Sequence, residues 1–139
     1  MLDRVVTAGD EVCTVVRLLG AGEAATEGWI GSPALYPATL LFEALIQAAA
    51  PLASQGGQGI RPGAVKHRER TAVGPPGLLL AIRDARMLRP VRFGDRLRIT
   101  AMITARFAGM VRVSSTAVRD GDAGGPVAAG EFTLAVEGP

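Results

Sequence analysis

A glutamate and a glutamine one helical turn apart are the residues of this chain whose types and spacing best suit chemistry. Glu43 and Gln47 lie in a stretch, residues 37–52, that otherwise consists almost entirely of apolar and small residues. Charged residues are rarely buried without a partner, so a lone carboxylate there requires an explanation. If buried, Glu43 would favour its protonated form and could act as an acid, and Gln47 at i+4 could orient it by a hydrogen bond. We therefore predict that Glu43 is catalytic and that Gln47 supports it; the alternative is that Glu43 lies on the polar rim of the helix, paired with an arginine.

The apolar residues around this pair recur with the period of a helix and form a wide apolar face. They are Leu40, Leu41, Ala44, Leu45, Ala48, Ala49 and Leu52. Pro37 suits the first helical turn, where its missing N–H costs nothing. Pro51 and the glycines at 56–57 are expected to close the element. The pattern predicts a buried central helix over about residues 37–53.

Six short segments rich in β-branched or alternating apolar residues predict strands. They are residues 2–6, 12–19, 78–88, 96–106, 110–119 and 127–136. Two strands, a long helix and four further strands predict an α+β domain, an antiparallel sheet with the helix on one face. We expect one domain over residues 1–139, with a long loop at about 54–77 that is rich in Gly, Pro and basic residues and is functional or mobile.

Composition excludes several classes of function. Cys13 is the only cysteine and His67 the only histidine, which excludes internal disulfides and Cys- or His-rich metal sites. We expect neither a metal nor a cofactor, and Cys13 is interpreted as core packing. A net charge of +2 is too small to indicate nucleic-acid binding. The sequence has neither an apolar run long enough to span a membrane nor a signal-peptide pattern, so we expect a cytoplasmic protein.

Three segments of the chain resemble one known family. Residues 84–97, DARMLRPVRFGDRL, look like that family's ARF-x-RPV-x-PGD-x-L segment. Pro37 followed by EALIQ at 43–47 looks like the PG…EAMAQ start of its central helix, and LDRV at 2–5 is similar to its VDRV strand. The family is the 3-hydroxyacyl-[acyl-carrier-protein] dehydratases of fatty-acid and polyketide synthesis. The resemblance implies the hotdog fold, in which an antiparallel sheet wraps one long helix.

The resemblance also implies a site for acyl thioesters. In the family, a histidine and the helix carboxylate transfer protons, and the helix N-terminus polarises the thioester oxygen. Here the position of that histidine is occupied by Trp29, which is not a base. The resemblance therefore predicts a dehydratase-like protein with atypical or lost chemistry, whose substrate-binding residues are Trp29, Gly31, Tyr36 and Pro37. His67, from the long loop, is a candidate substitute base.

Two further functions remain open. One is an acyl thioesterase that uses Glu43 without a histidine. The other is a non-catalytic subunit of a heterodimeric dehydratase, because in the family the histidine and the carboxylate of one site come from different subunits. We expect a homodimer or a heterodimer with a related hotdog subunit.

The basic residues suggest where a carrier would bind. Residues 66–70, KHRER, are interpreted either as a solvated loop or as a docking patch for an acidic partner. Acyl carrier proteins are acidic, so arginines at the rim of the site would steer them. We predict this docking role for Arg68, Arg70, Arg89 and Arg92.

Overall fold

The computed structural model describes residues 4–20, 35–53 and 78–135. Its elements in chain order are β1 (Arg4–Ala8), β2 (Val12–Leu18), α1 (Ala38–Ala53), β3 (Leu78–Met87), β4 (Arg96–Phe107), β5 (Met110–Arg119) and β6 (Pro126–Ala135). The strands form one antiparallel sheet in the order β1-β2-β4-β5-β6-β3. The predicted hotdog fold is confirmed. The predicted loop at 54–77 lies outside the described residues.

The helix α1 packs on the inner face of the sheet, over the central strands β2, β4, β5 and β6. Its buried face is made of leucines and alanines at helical spacing, as the sequence predicted. The buried residues are Leu41, Ala44, Leu45, Ala48, Ala49, Leu52 and Ala53. Pro51 lies inside the helix and does not end it. Because Pro51 has no N–H, the carbonyl of Gln47 has no helical donor.

A row of small residues crosses the inner face of the sheet on four neighbouring strands. Cys13 pairs with Ala101, Ala101 with Ser115, and Ser115 with Gly130. The Ser115 hydroxyl, fully buried, donates a hydrogen bond of 3.1 Å to the backbone carbonyl of Leu45 in α1. Short side chains in this row let the helix approach closely, and the Ser115 bond fixes its distance from β5.

The edge strand β3 is irregular. Its register against β6 shifts between Leu79 and Ala81 and again between Arg83 and Arg86, and each shift accommodates one extra residue of β3. At the second bulge Asp84 adopts a φ of 55°, which is uncommon for a residue other than glycine. The bulge brings the β3 backbone close to Gly130, where an added Cβ would lie 3.3 Å from the Cα of Ala85. Bulges of this kind bend an edge strand and interrupt its pairing.

The described part of the chain contains no helix that is long and apolar enough to cross a membrane.

Candidate functional site

Glu43 lies on the side of α1 that faces away from the sheet. Thr39, Glu43 and Ala50 are exposed, whereas the buried positions of the helix lie on its opposite face. The prediction that Glu43 is buried is therefore wrong for the single chain, because its position in the helical period places it opposite the apolar face. The alternative placed Glu43 on the polar rim of the helix, and its exposure agrees with that position. The ion pair with an arginine that the alternative also expected is not seen among the described residues. The chain presents Glu43 as an open carboxylate.

Gln47 holds this carboxylate in place. Its Nε2 donates a hydrogen bond of 2.9 Å to Glu43 Oε1, so the contact expected from the i,i+4 spacing is present. One carboxylate oxygen accepts from the amide, and Oε2 is left for another partner. A carboxylate with one oriented and one available oxygen suits proton abstraction from water or direct attack on a carbonyl.

The N-terminal turn of α1 lies less than two turns before Glu43. The first helical hydrogen bond runs from the Leu41 N–H to the carbonyl of Pro37, at 3.2 Å. The N–H groups of residues 38–40 precede that bond, so the helical ladder does not use them. The first turn contains no acidic side chain that could compete with a bound anion. A thioester oxygen could therefore bind at this end of the helix.

Tyr36, predicted to bind substrate, is buried beneath the start of the helix. Its side chain is 2% exposed, and its hydroxyl accepts a hydrogen bond of 3.1 Å from Arg17 Nη2. The ring packs edge-on against Phe93, and the Tyr36 N–H donates to the carbonyl of Val91 at 2.8 Å. These contacts anchor the segment that leads into α1. A contact of the phenol with substrate stays a prediction.

Arg17 is a buried cation that the sequence interpretation missed. It is 4% exposed and lies on the inner face of β2. The alternation of the strand could have indicated this burial. Side chains two residues apart point to the same face of a strand, and Cys13, Val15 and Leu19, at every second position from Arg17, are all fully buried.

The two described arginines of the predicted docking set differ in their surroundings. Arg89 is bound to the Asp122 carboxylate at 3.1 Å, and its guanidinium also contacts the carbonyls of Gly125 and Pro126. Arg92 is exposed. Its backbone N–H donates to Asp95 Oδ2 at 2.9 Å, and its backbone forms an isolated bridge with Leu35. Arg89 therefore holds two turns together, whereas Arg92 presents its charge to solvent.

The remaining predicted site residues lie outside the described residues. They are Trp29, Gly31, His67, Arg68 and Arg70. Within residues 4–20, 35–53 and 78–135, no group of three or more His, Cys, Asp or Glu side chains could hold a metal ion.

Three solved structures that are similar to this chain bear on its fold. The PaaI protein of the E. coli phenylacetic acid degradation operon matches with a TM-score of 0.69 and 15% identity, over 97% of this chain and 79% of that protein. Mouse thioesterase superfamily member 2 matches with a TM-score of 0.66 and 13% identity, over 96% and 81%. A hypothetical thioesterase from Streptococcus pneumoniae, solved with coenzyme A, matches with a TM-score of 0.67 and 14% identity, over 97% and 88%.

At these identities the likeness establishes the hotdog fold. No protein-family model matches the chain, and no curated protein matches it by sequence. The dehydratase function predicted from the motifs is contradicted, because two of these three similar structures are named as thioesterases. The dehydratase-like segments therefore specify a fold shared with hydrolases and do not specify hydro-lyase chemistry. The alternative of a thioesterase using Glu43 fits the neighbours better.

Proposed function

We propose that this protein hydrolyses acyl thioesters and that Glu43 is its catalytic carboxylate. The observation that carries the proposal is the 2.9 Å hydrogen bond from Gln47 to an exposed Glu43, which is the one charged residue of α1. This arrangement orients a carboxylate without a histidine. The fold shared with named thioesterases supports the same class of reaction.

Hydrolysis needs a base for water, or a nucleophile, and stabilisation of the carbonyl oxygen. In the first route, Glu43 takes a proton from water while the water oxygen bonds to the thioester carbon. The C–S bond then breaks, the acid is released, and the departing thiolate takes up the proton. In the second route, the carboxylate itself attacks the carbon, expels the thiolate and forms an anhydride that water hydrolyses.

The carbonyl oxygen needs hydrogen-bond donors as negative charge develops on it. The N–H groups in the first turn of α1 supply such donors, together with the positive end of the helix dipole. The rise from residue 38 to residue 43 is about 7.5 Å at 1.5 Å per residue. The donors and the carboxylate therefore bracket a space large enough for a thioester group along one helix, or along facing helices of two subunits.

We also propose that the active form is a homodimer joined through β3. Four of its first five residues have large, exposed apolar side chains: Leu78 at 62%, Leu79 at 38%, Leu80 at 47% and Ile82 at 52%. β3 is an edge strand, so one side of its backbone has no partner within the described sheet. An exposed apolar edge favours pairing with another strand, and a second copy would also cover the open side of the site near Glu43.

The test is to incubate the purified protein with a saturated acyl thioester and, separately, with a 3-hydroxyacyl thioester. Free thiol and enoyl product are followed in each reaction. We expect thiol release and no enoyl product. Glu43→Gln should reduce the rate of thiol release at least 100-fold, whereas Met102→Ala, on the outer face of the sheet, should leave it unchanged.

Two results would overturn the proposal. One is enoyl formation without thiol release. The other is thiol release by Glu43→Gln at the rate of the unmodified chain, with circular dichroism showing that the variant is folded.

A further inference from the structure

Most arginines at one end of the sheet are neutralised by three aspartates. Asp95, Asp120 and Asp122 form this group, which we call the aspartate cluster. Arg119 binds Asp95 and Asp122, each at 3.1 Å, and Arg89 binds Asp122 at 3.1 Å. Asp120 faces Arg96 at 3.7 Å and Arg98 at 3.4 Å. Four arginines are therefore used to connect turns and strand ends.

Arg92 lies beside the aspartate cluster, but its side chain is used differently. The carboxylate of Asp95 accepts from the Arg92 backbone N–H at 2.9 Å and from Arg119 Nη2 at 3.1 Å, but it forms no bond with the Arg92 guanidinium. Among the described residues no carboxylate pairs with that guanidinium. A fixed backbone with an exposed cation is suited to bind an anion from solution.

The structure places this cation at the start of the catalytic helix. The backbone of Arg92 bridges that of Leu35, and the next pair of backbone groups, Tyr36 N–H and Val91 C=O, is hydrogen-bonded at 2.8 Å. Pro37 and the first turn of α1 follow directly. The two neighbours of Arg92 point inward, because Val91 is fully buried and Phe93 packs on Tyr36. The side chain of Arg92, between them, points outward to solvent. Arg92 is thus exposed beside the segment that leads into the first turn of α1.

We infer that Arg92 binds the phosphate of the phosphopantetheine arm that carries the acyl thioester. This inference rests on the proposed function, because it assumes that a thioester carbonyl is bound near the N-terminal end of α1. Coenzyme A and acyl carrier proteins both carry their thiol on this arm, and each presents a phosphate group at its far end. A guanidinium matches a phosphate in charge and in the geometry of paired hydrogen bonds.

The expected effect is moderate, because Arg92 is exposed and solvent screens the interaction. An exposed pair of this kind contributes on the order of a two- to fivefold change in affinity. The change should appear in KM, since the phosphate lies away from the reacting carbon and binds equally in the ground state and in the transition state.

The experiment uses two thioesters of the same acyl group on the full-length protein. One is the coenzyme A thioester, and the other is the N-acetylcysteamine thioester, which keeps the reactive end of the arm but has no phosphate. Arg92→Ala should raise KM about two- to fivefold for the coenzyme A thioester, leave its kcat unchanged, and change neither constant for the N-acetylcysteamine thioester. Arg92→Lys should retain much of the affinity. Arg98→Ala removes an exposed arginine that pairs with Asp120 and serves as the matched control. It should change KM for neither thioester selectively.

The outcomes separate this inference from the proposed function. If the unmodified protein hydrolyses neither thioester, the proposed function fails. If it hydrolyses both, the phosphate assignment to Arg92 is wrong when Arg92→Ala changes KM equally for every thioester, the N-acetylcysteamine thioester included, or for none of the phosphate-bearing thioesters. A third arm uses the acyl-carrier-protein thioester. A selective KM increase with coenzyme A alone, with the carrier protein alone, or with both supports the assignment and identifies the source of the phosphate.

Discussion

The side-chain amide of Gln47 and the carboxylate of Glu43 are joined by a hydrogen bond of 2.9 Å across one turn of α1. The bond fixes the carboxylate on the open side of the helix, away from the core that the rest of the helix forms. The bond engages Oε1 of Glu43, and in the proposed reaction Oε2 faces a water molecule or the thioester carbon.

Removing the orienting amide should slow hydrolysis without unfolding the protein. Gln47→Leu deletes the donor and keeps the approximate size of the side chain. A hydrogen bond to a charged group contributes about 1 kcal/mol at an exposed position, so we expect kcat to fall about fivefold. Steady-state kinetics provides the measurement. An unchanged kcat would show that the hydrogen bond from Gln47 does not contribute to the rate.

The contact between the sheet and the helix should be sensitive to size. Ser115→Ala removes the bond to the Leu45 carbonyl and should lower the free energy of unfolding by about 1 kcal/mol. Ser115→Leu places a large side chain in the row of small residues, and we expect a loss of about 1–3 kcal/mol more. Urea denaturation measures both. If Ser115→Leu proves as stable as Ser115→Ala, the helix does not approach as closely as described.

Gly130 should tolerate no side chain while Phe132 is present. An added Cβ would lie 2.8 Å from Phe132 Cζ, and the ring is 1% exposed, so it has little room to move. Gly130→Ala should destabilise the protein by about 1–3 kcal/mol. In the double variant with Phe132→Leu this clash is relieved, so the two losses should be less than additive. Strict additivity would contradict the contact.

A charge on the exposed apolar part of the edge strand β3 should separate the proposed dimer into monomers. Ile82→Lys introduces an ammonium at the centre of β3, where an incoming strand would bury it. We expect the unmodified protein to sediment as a dimer and the variant as a monomer with reduced hydrolysis. Met102→Lys is the control, since Met102 is similarly exposed, at 47% against 52%, but lies on a central strand. A monomeric unmodified protein would contradict the interface.

Asp122 should make the stability of the protein depend on pH in acid. The hydrogen bond from the Gly124 backbone N–H, followed by the contact with Arg89, lowers the pKa of Asp122 below its ordinary value. A carboxylate whose folded pKa is depressed contributes stability that is present above its unfolded pKa, about 3.9. That contribution is lost as the pH falls from the unfolded pKa through the lower pKa of Asp122 in the folded protein. Thermal denaturation between pH 5 and 2 should show the decline, which Asp122→Asn should make shallower.

The fold could be predicted from the sequence because each element has a strong local pattern. The alternation in β4, where Leu97, Ile99 and Ala101 are fully buried, is a period-2 signal. The bulge at Asp84 has no such signal, because it results from pairing with β6 and from the space above Gly130. The exposure of Glu43 depends on the helical phase, which the apolar positions already contained: Ala44 and Leu45 face the sheet, and Glu43 does not.

The function was harder to predict because the most specific motif describes a turn. In residues 89–95, Arg89 binds Asp122, Gly94 adopts a φ of 91°, and Asp95 accepts the backbone N–H of Arg92. Gly94 donates to the carbonyl of Leu19 at 2.7 Å, which joins this turn to the end of β2. These residues are needed to connect β3 with β4, whatever reaction the protein catalyses. A match to such a motif indicates shared architecture.

The row of small residues under α1 also bears on how the specificity of this protein could evolve. Glu43 lies on the far side of the helix from Cys13, Ala101, Ser115 and Gly130. The width of the helix, about 10 Å with its side chains, separates them. A larger side chain in this row would move the helix away from the sheet, and the Glu43 carboxylate would move with the helix. In the proposed thioesterase, the length of acyl chain accepted would therefore change through substitutions in the sheet that never contact the substrate.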